Sequence, residues 1–282
     1  DCNLFDASGI CVALAGSYAN YQDGYGNASN TGEFSGVLMG AVRIASKVRV
    51  GGFLDFRGDT GAVDGIDVTG HLPMFGGFVG YSGEPEGLGL QLRGSVAYER
   101  NAAEFTRSNL LGTAAKVTGE GDFATLGAAG VLGWGFGLGG ATTLTPFLGL
   151  TATKSERQSF DENGKAGPVD DPLRYSNYAA TQVTGLLGAR LEGMFSDQLG
   201  YRLGAAVEHD FSYDLDAFKV SGDFGSASYR SGEAPADWRV GGTAGLSYFL
   251  APNRELTLDG YANTFRKDAM DYAVTVGFKA GF

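Results

Sequence analysis

The stretch "DYAVTVGFKAGF", residues 271–282, ends the chain on a strict alternation. Tyr272, Val274, Val276, Phe278, Ala280 and Phe282 take every second position, and Ala273, Thr275, Gly277, Lys279 and Gly281 lie between them. Successive side chains of a strand point to opposite faces, so this strand has one greasy face and one small or polar face. A soluble strand with this pattern has its apolar face covered by the rest of the fold, and a chain terminus usually frays. What the rest of the chain offers as cover therefore decides the fold.

It offers more of the same. In 33–45, Phe34, Leu38, Val42 and Ile44 share a face with Gly36 and Gly40, and Glu33, Ser35, Ala41 and Arg43 share the other. In 48–57, Val48, Val50, Leu54 and Phe56 oppose Arg49, Asp55 and Arg57; in 90–101, Leu90, Leu92, Val96 and Tyr98 oppose Gln91, Arg93, Ser95, Glu99 and Asn101. Similar runs fall near 10–22, 71–82, 122–138, 142–157, 175–194, 201–211, 238–250 and 255–266, and no helical period is sustained. That makes about twelve strands, an even number, as closed bacterial barrels require. Many runs reach ten residues, against about five or six in soluble sheets, and tilted strands of roughly nine to eleven residues are what a bilayer demands. Short turns ("SK" at 46–47, "GEPEG", "GLGGA", "SDQLG", "APNRE") alternate with longer polar loops at 23–32, 58–70, 106–120, 160–174 and 212–236. The pattern predicts an all-β fold: a closed antiparallel transmembrane β-barrel of outer-membrane type over residues 10–282. Residues 1–9 form a short segment before it.

Parity assigns the faces. Aromatic and branched residues such as Leu38, Leu54, Leu92, Val96, Val207, Leu246 and Val276 go to lipid, and the last strand closes on the first so that no edge is left unpaired. Inward go Arg43, Arg57, Arg93, Glu99, Arg190, Glu192, Arg202, Glu208, Asp210 and Arg239. Charges of both signs on one face exclude a dry core and fit a wet lumen. Two readings of them stand: a polar conduit for a passing polypeptide, or a salt-bridge lattice that keeps a narrow barrel round. The 47 glycines among 282 residues suit strongly coiled strands and close packing inside the lumen.

Composition narrows the function classes. A formal net charge of -11 argues against nucleic acid as partner, since phosphate binding needs concentrated Lys and Arg. Mean hydropathy near zero (-0.06) suits a barrel whose lipid-facing and lumen-facing residues alternate. Asp1 is not followed by a basic leader and apolar h-region. Cys2 and Cys11, separated by a stretch with a turn-like "ASG", suit a small disulfide loop in an oxidising compartment; the alternative is two free thiols.

There is no G-x-S-x-G, no H-E-x-x-H and no Cys/His ligand spacing, so neither a metal nor a cofactor is expected. Of the two histidines, His71 sits at a loop-strand junction, and parity puts His209 on the face opposite Glu208 and Asp210, which suits an imidazole near an interfacial aromatic girdle. "GWGFGLGG" at 133–140 lacks the Lys-Ser/Thr and helix of a phosphate loop and reads as a lipid-facing strand end with Trp134 and Phe136 in the girdle.

Four stretches carry a family resemblance: "VRVGGFLDFRGD" at 48–59, "LTPFLGLTATK" at 144–154, "RLGAAVEHDF" at 202–211 and the terminal "YAVTVGFKAGF". In this order they resemble the translocator (β-barrel) domain of type V autotransporters over nearly the whole chain. The resemblance implies an integral protein of the bacterial outer membrane, not an enzyme, that anchors and exports an N-terminal passenger. Its implied partners are its own passenger and linker segment, outer-membrane lipid, periplasmic chaperones and the barrel-assembly machinery. That machinery would read a terminal signal here made of Tyr272, Val276, Phe278 and Phe282. In the family a helix before the first strand runs through the lumen; here residues 1–9 are not helical in pattern, so the helix lies upstream or the barrel works without it. A free-standing diffusion pore and a barrel-based outer-membrane hydrolase are the rival readings.

Overall fold

The computed structural model describes residues 2–22, 30–59, 66–84, 87–108, 116–163, 172–222, 225–229, 238–264 and 270–282. Twelve antiparallel walls close into one barrel. The first three are single strands, β1 (Ile10–Gln22), β2 (Asn30–Ala45) and β3 (Val48–Asp59). Next come β4 (Ile66–His71) with β5 (Met74–Ser82), β6 (Gly89–Ser108), β7 (Lys116–Gly139) and β8 (Thr142–Arg157) with β9 (Phe160–Asn163). They are followed by β10 (Arg174–Tyr175) with β11 (Tyr178–Met194), β12 (Leu199–Leu215) with β13 (Phe218–Gly222) and β14 (Gly225–Tyr229) with β15 (Trp238–Ala251). The last two walls are β16 (Arg254–Thr264) and β17 (Met270–Gly281). β1 pairs with β2 on one side and with β17 on the other, from Cys11↔Gly281 to Asn20↔Tyr272, so every ladder finds a partner. The start of β1 and the end of β17 lie together at the short-turn end.

Burial runs opposite to that of a soluble domain. Leu14, Leu54, Leu92, Val96, Leu148, Leu187, Leu203 and Val276 are exposed, whereas Asn20, Arg49, Asp55, Gln91, Arg239, Glu255, Asn263 and Asp271 are buried. A contiguous apolar exterior far exceeds the patches a soluble monomer shows, and a bilayer is its natural cover. The height of the apolar band can be read from the outer face. Along β6 it holds Leu90, Leu92, Val96 and Tyr98 and then turns to Arg100, which pairs with Asp122 of β7 at 2.6 Å. On β8 the outer face passes from Leu148 and Leu150 to a Lys154–Glu156 ion pair. The band thus spans about nine residues per strand, the length a tilted strand needs to cross hydrocarbon.

Above that band the sheet continues. β6 and β7 stay paired from Gly89↔Gly135 to Ser108↔Lys116, about 65 Å of strand at ~3.3 Å per residue. The polar stretches 58–70, 106–120, 160–174 and 212–236, expected as loops, are therefore partly strand, including Phe160–Asn163, Arg174–Tyr175, Phe218–Gly222 and Gly225–Tyr229. The reason is physical: outside hydrocarbon a paired strand needs no apolar face, so the alternation fades while backbone pairing persists. Residues 23–29 of the expected 23–32 loop lie outside the described residues; 30–32 begin β2.

Some glycines are explained by the lumen. The Phe78 ring lies over Gly51 and the Phe53 ring over Gly76 across the β3–β5 pair, where a Cβ would overlap the aromatic carbons. A side chain at either glycine would push a ring off the inner wall.

Candidate functional site: the lumen and its mouths

The inner face carries the charges, in three groups stacked along the axis. Near mid-height, Arg239 of β15 makes a two-pronged contact with Asp210 of β12 at 2.8 and 2.9 Å and reaches Glu208 at 3.0 Å. Thr184 and Gln182 of β11 donate to the same Asp210 oxygen at 2.6 and 2.9 Å. The planar guanidinium suits this bidentate recognition, and it satisfies carboxylates that solvent scarcely reaches. On the facing wall Arg57 meets Asp55 at 3.1 Å, Glu33 at 3.3 Å and Glu99 at 3.9 Å, linking β2, β3 and β6.

Lower down, basic residues prevail. Arg190 of β11 contacts Glu192 at 3.1 Å and donates to Gln91 of β6, three walls away, at 3.1 Å. Arg202 of β12 reaches past β15 to Asp259 of β16 at 2.8 Å, and Lys279 pairs with Glu255 at 3.1 Å. Arg93 lines the same space beside Arg190 and Arg202. Arg43 lies at the short-turn mouth, with its guanidinium over the Phe5 ring and a hydrogen bond to the Asp6 carbonyl. Cavities of about 420 and 820 Å³ remain between these side chains.

The segment before the wall does not hang free at that mouth. Cys2 and Cys11 form a disulfide, and both are fully buried in a cluster with Ala41, Leu4, Phe5, Ala13, Met39 and Phe78. From Cys2, inside the barrel, the chain passes under the β1–β17 seam. Gly281 leaves room for the backbone of residues 4–6, Asn253 donates to the Asp6 carboxylate at 3.1 Å, and Gly9 accepts from the Arg43 amide at 2.8 Å. Ser8 donates to the carbonyl of Phe282, whose amide bonds Ile10 at 2.9 Å. On the terminal strand Tyr272, Val276 and Phe282 are exposed on the outer face and Phe278 is half-buried.

At the opposite end, an aromatic lobe missed in the sequence joins the strand extensions of β6, β9, β10 and β13. The rings of Phe105, Phe160 and Tyr175 stack at 4.9 and 4.5 Å, Phe218 meets Tyr175 edge-on, and the Arg157 guanidinium lies 5.0–6.0 Å from Phe160, Tyr175, Tyr178 and Phe218. Beside it Arg107 holds Glu162 through two 2.7 Å bonds, with further donation from Tyr175 at 3.0 Å and the Leu173 amide at 2.9 Å. Phe160 and Phe218, aromatic residues within stretches expected as polar loops, were the available signal.

Burial pushes the Glu162 carboxyl up, and its hydrogen bonds from Arg107, Leu173 and Tyr175 outweigh this, so it titrates below its ordinary 4.5. Because the folded value is depressed, this carboxylate's contribution is complete above about pH 4.5 and is lost as pH falls through the lower folded value. Tyr175 emission or local hydrogen exchange is expected to report loosening of the lobe in that acid range, and Glu162→Gln to remove the pH step. An unchanged step in the variant would place its origin elsewhere.

The His209 ring stacks on Trp238 at 4.4 Å and meets Phe211 edge-on at 5.2 Å on the outer face, with Glu208 and Asp210 turned inward to Arg239. The side chain of His71, at the end of β4, lies outside the described ones. Trp134 and Phe136 are exposed on the outer face near the short-turn end.

A family model described as the autotransporter β-domain matches residues 11–261. Comparison with curated protein sequences finds no match. Among solved structures, the translocator domain of the autotransporter NalP from Neisseria meningitidis superimposes with a TM-score of 0.76 at 15% identity, covering 98% of this chain and 90% of that one. The β domain of the Bordetella autotransporter BrkA gives 0.60 at 14% identity, covering 96% and 99%. The toluene transporter TodX of Pseudomonas putida gives 0.52 at 10% identity, covering 98% and 91%, and shares the barrel fold alone. The family match spans most of the wall strands whose register closes the barrel, and on that ground the chain belongs to the autotransporter β-domain family, as an integral barrel of the outer membrane.

Proposed function

We propose that this barrel anchors in the outer membrane and gives an N-terminal passenger its route to the cell surface, without covalent chemistry of its own. One observation carries the reading: the segment preceding the first strand turns back inside the wall, so that Asn3 lines both lower lumen cavities. A chain continuing in the N-terminal direction starts within the pore. Residues 1–9 serve as its lead-in and 10–282 as the barrel; Cys2–Cys11 fixes the junction. Arg43, Arg57, Arg93, Glu99, Arg190, Glu192, Arg202, Glu208, Asp210 and Arg239 line and brace the conduit. Tyr272, Val276, Phe278 and Phe282 present the strand that the barrel-assembly machinery receives, after periplasmic chaperones have kept the chain from aggregating.

The test is display. With a signal peptide and an epitope-tagged reporter placed before Asp1, the reporter is expected to become accessible to external protease and antibody in intact cells. A reporter that stays periplasmic while the barrel is folded in the membrane would overturn the reading.

A further inference from the structure

Cys2 and Cys11 have no exposed surface in the closed barrel. Leu4 and Phe5 of the lead-in cover them, together with Ala13 of β1, Met39 and Ala41 of β2 and Phe78 of β5. The lead-in is pinned in turn by the last strand of the wall. Gly281 lies against the backbone of residues 4–6, and the Phe282 backbone bonds both Ser8 and Ile10. Until β17 docks, β1 lacks one of its two partners and nothing from the terminal strand holds the lead-in in place.

The chemistry of disulfide formation makes this burial informative. One thiolate of the chain attacks a sulfur of the oxidant's disulfide, which gives a mixed disulfide and frees one oxidant thiolate. The second cysteine then attacks the chain's own sulfur in that mixed disulfide, forming Cys2–Cys11 and releasing the oxidant's other thiolate. The chain's two thiols lose two protons and two electrons, and the oxidant's disulfide takes up the electrons. A protein oxidant must therefore touch a sulfur of the chain, and the closed barrel presents none.

We infer that a protein disulfide oxidant of the periplasm makes the Cys2–Cys11 bond before the β1–β17 seam forms, and that closure then seals it. The sequence favours the same order. The two cysteines have a sequence separation of 9, and a loop of about ten residues closes in roughly 10–100 ns in an open chain. The thiols thus meet without help from the wall. After closure they are within reach of each other and of no oxidant, and a bond already made is shielded from reductant in the same way. The order holds whether or not the barrel exports a passenger.

The test starts from the full chain denatured under reductant. One portion is refolded in detergent with reductant present, its closure shown by heat-modifiable migration in SDS gels. The other is held unfolded in urea dilute enough to leave the oxidant active. Both are freed of reductant and exposed to a thioredoxin-fold protein carrying an active-site disulfide. Acid quenching and maleimide-polyethylene glycol labelling under denaturing conditions then count the remaining thiols. The unfolded chain is expected to lose both thiols at least about a hundredfold faster than the closed barrel, because exchange needs an accessible sulfur. Equal rates, with the barrel still heat-modifiable, would overturn the proposal. Failure of the reduced chain to close where the oxidised chain closes would support it, since the bond then has to come first. In cells, pulse-labelled chains that are not yet heat-modifiable are expected to carry the bond already. Free thiols in those chains, with the bond confined to the heat-modifiable fraction, would reverse the order and overturn the proposal.

Discussion

Deleting Phe282, or changing it to Ser, is expected to cut the amount of barrel inserted in cells to a small fraction of the parent's, while refolding in detergent stays nearly normal. As a wall residue its ring contributes no more than about 1.5–3 kcal/mol of burial. It also lies at the short-turn interface, where aromatic rings anchor well. Its backbone adds two bonds to Ile10, at 2.9 and 3.3 Å. A barrel with all of its other ladders intact survives that loss once it is closed. Closure is the vulnerable stage, because an unpaired strand end carries amides that cannot enter hydrocarbon. In cells the terminal strand has to be received before the seam forms, whereas in detergent the chain can search without that step. Quantifying heat-modifiable barrel in outer-membrane fractions against refolding yield separates the two roles. Equal insertion of variant and parent would reduce the terminal strand to a length of wall.

The second large effect concerns Arg239. Arg239→Met should destabilise the folded barrel by about 3–5 kcal/mol, because it leaves Asp210 and Glu208 charged with their main cation gone. The Asp210 side chain is only 4% exposed, so water cannot replace the guanidinium in place. Replacing Arg239 and Asp210 together with apolar residues of similar size should cost much less, since a buried pair removed whole leaves no orphan charge. Denaturant titration in a fixed detergent, followed by tryptophan emission, reads the difference. If the single and double variants are equally destabilised, loss of packing rather than stranded charge explains the cost.

How far the sequence revealed this molecule depends on where along the barrel axis one looks. Within the hydrocarbon band, period-two alternation is enforced on the strands, so wall count and closure could be read by parity alone. Parity names the face and not the partner. Arg202 finds Asp259 across an intervening strand, and Arg190 finds Gln91 three walls away. Those pairings depend on register and lumen diameter, which no single strand encodes. Above the band nothing enforces alternation, and part of the aromatic lobe around Arg157 (Phe160 and Phe218) was hidden in stretches that read as polar loops. The junction at Cys2 was legible as two cysteines at close spacing, but not its placement inside the wall. That placement comes from Gly281 and Asn253, at the far end of the chain.

The disulfide also sets the mechanics of the junction. Because Cys2 is bonded to Cys11, tension that reaches Cys2 from its N-terminal side bypasses residues 3–10 and is delivered to the wall at Cys11. There the load runs along β1, which is hydrogen-bonded on both sides, to β2 and to β17. Pulling parallel to a paired strand strains many ladder bonds at once in shear, whereas pulling on the reduced chain would peel the lead-in away one contact at a time. A small covalent ring thus sets the point at which the barrel bears the drag of whatever it holds.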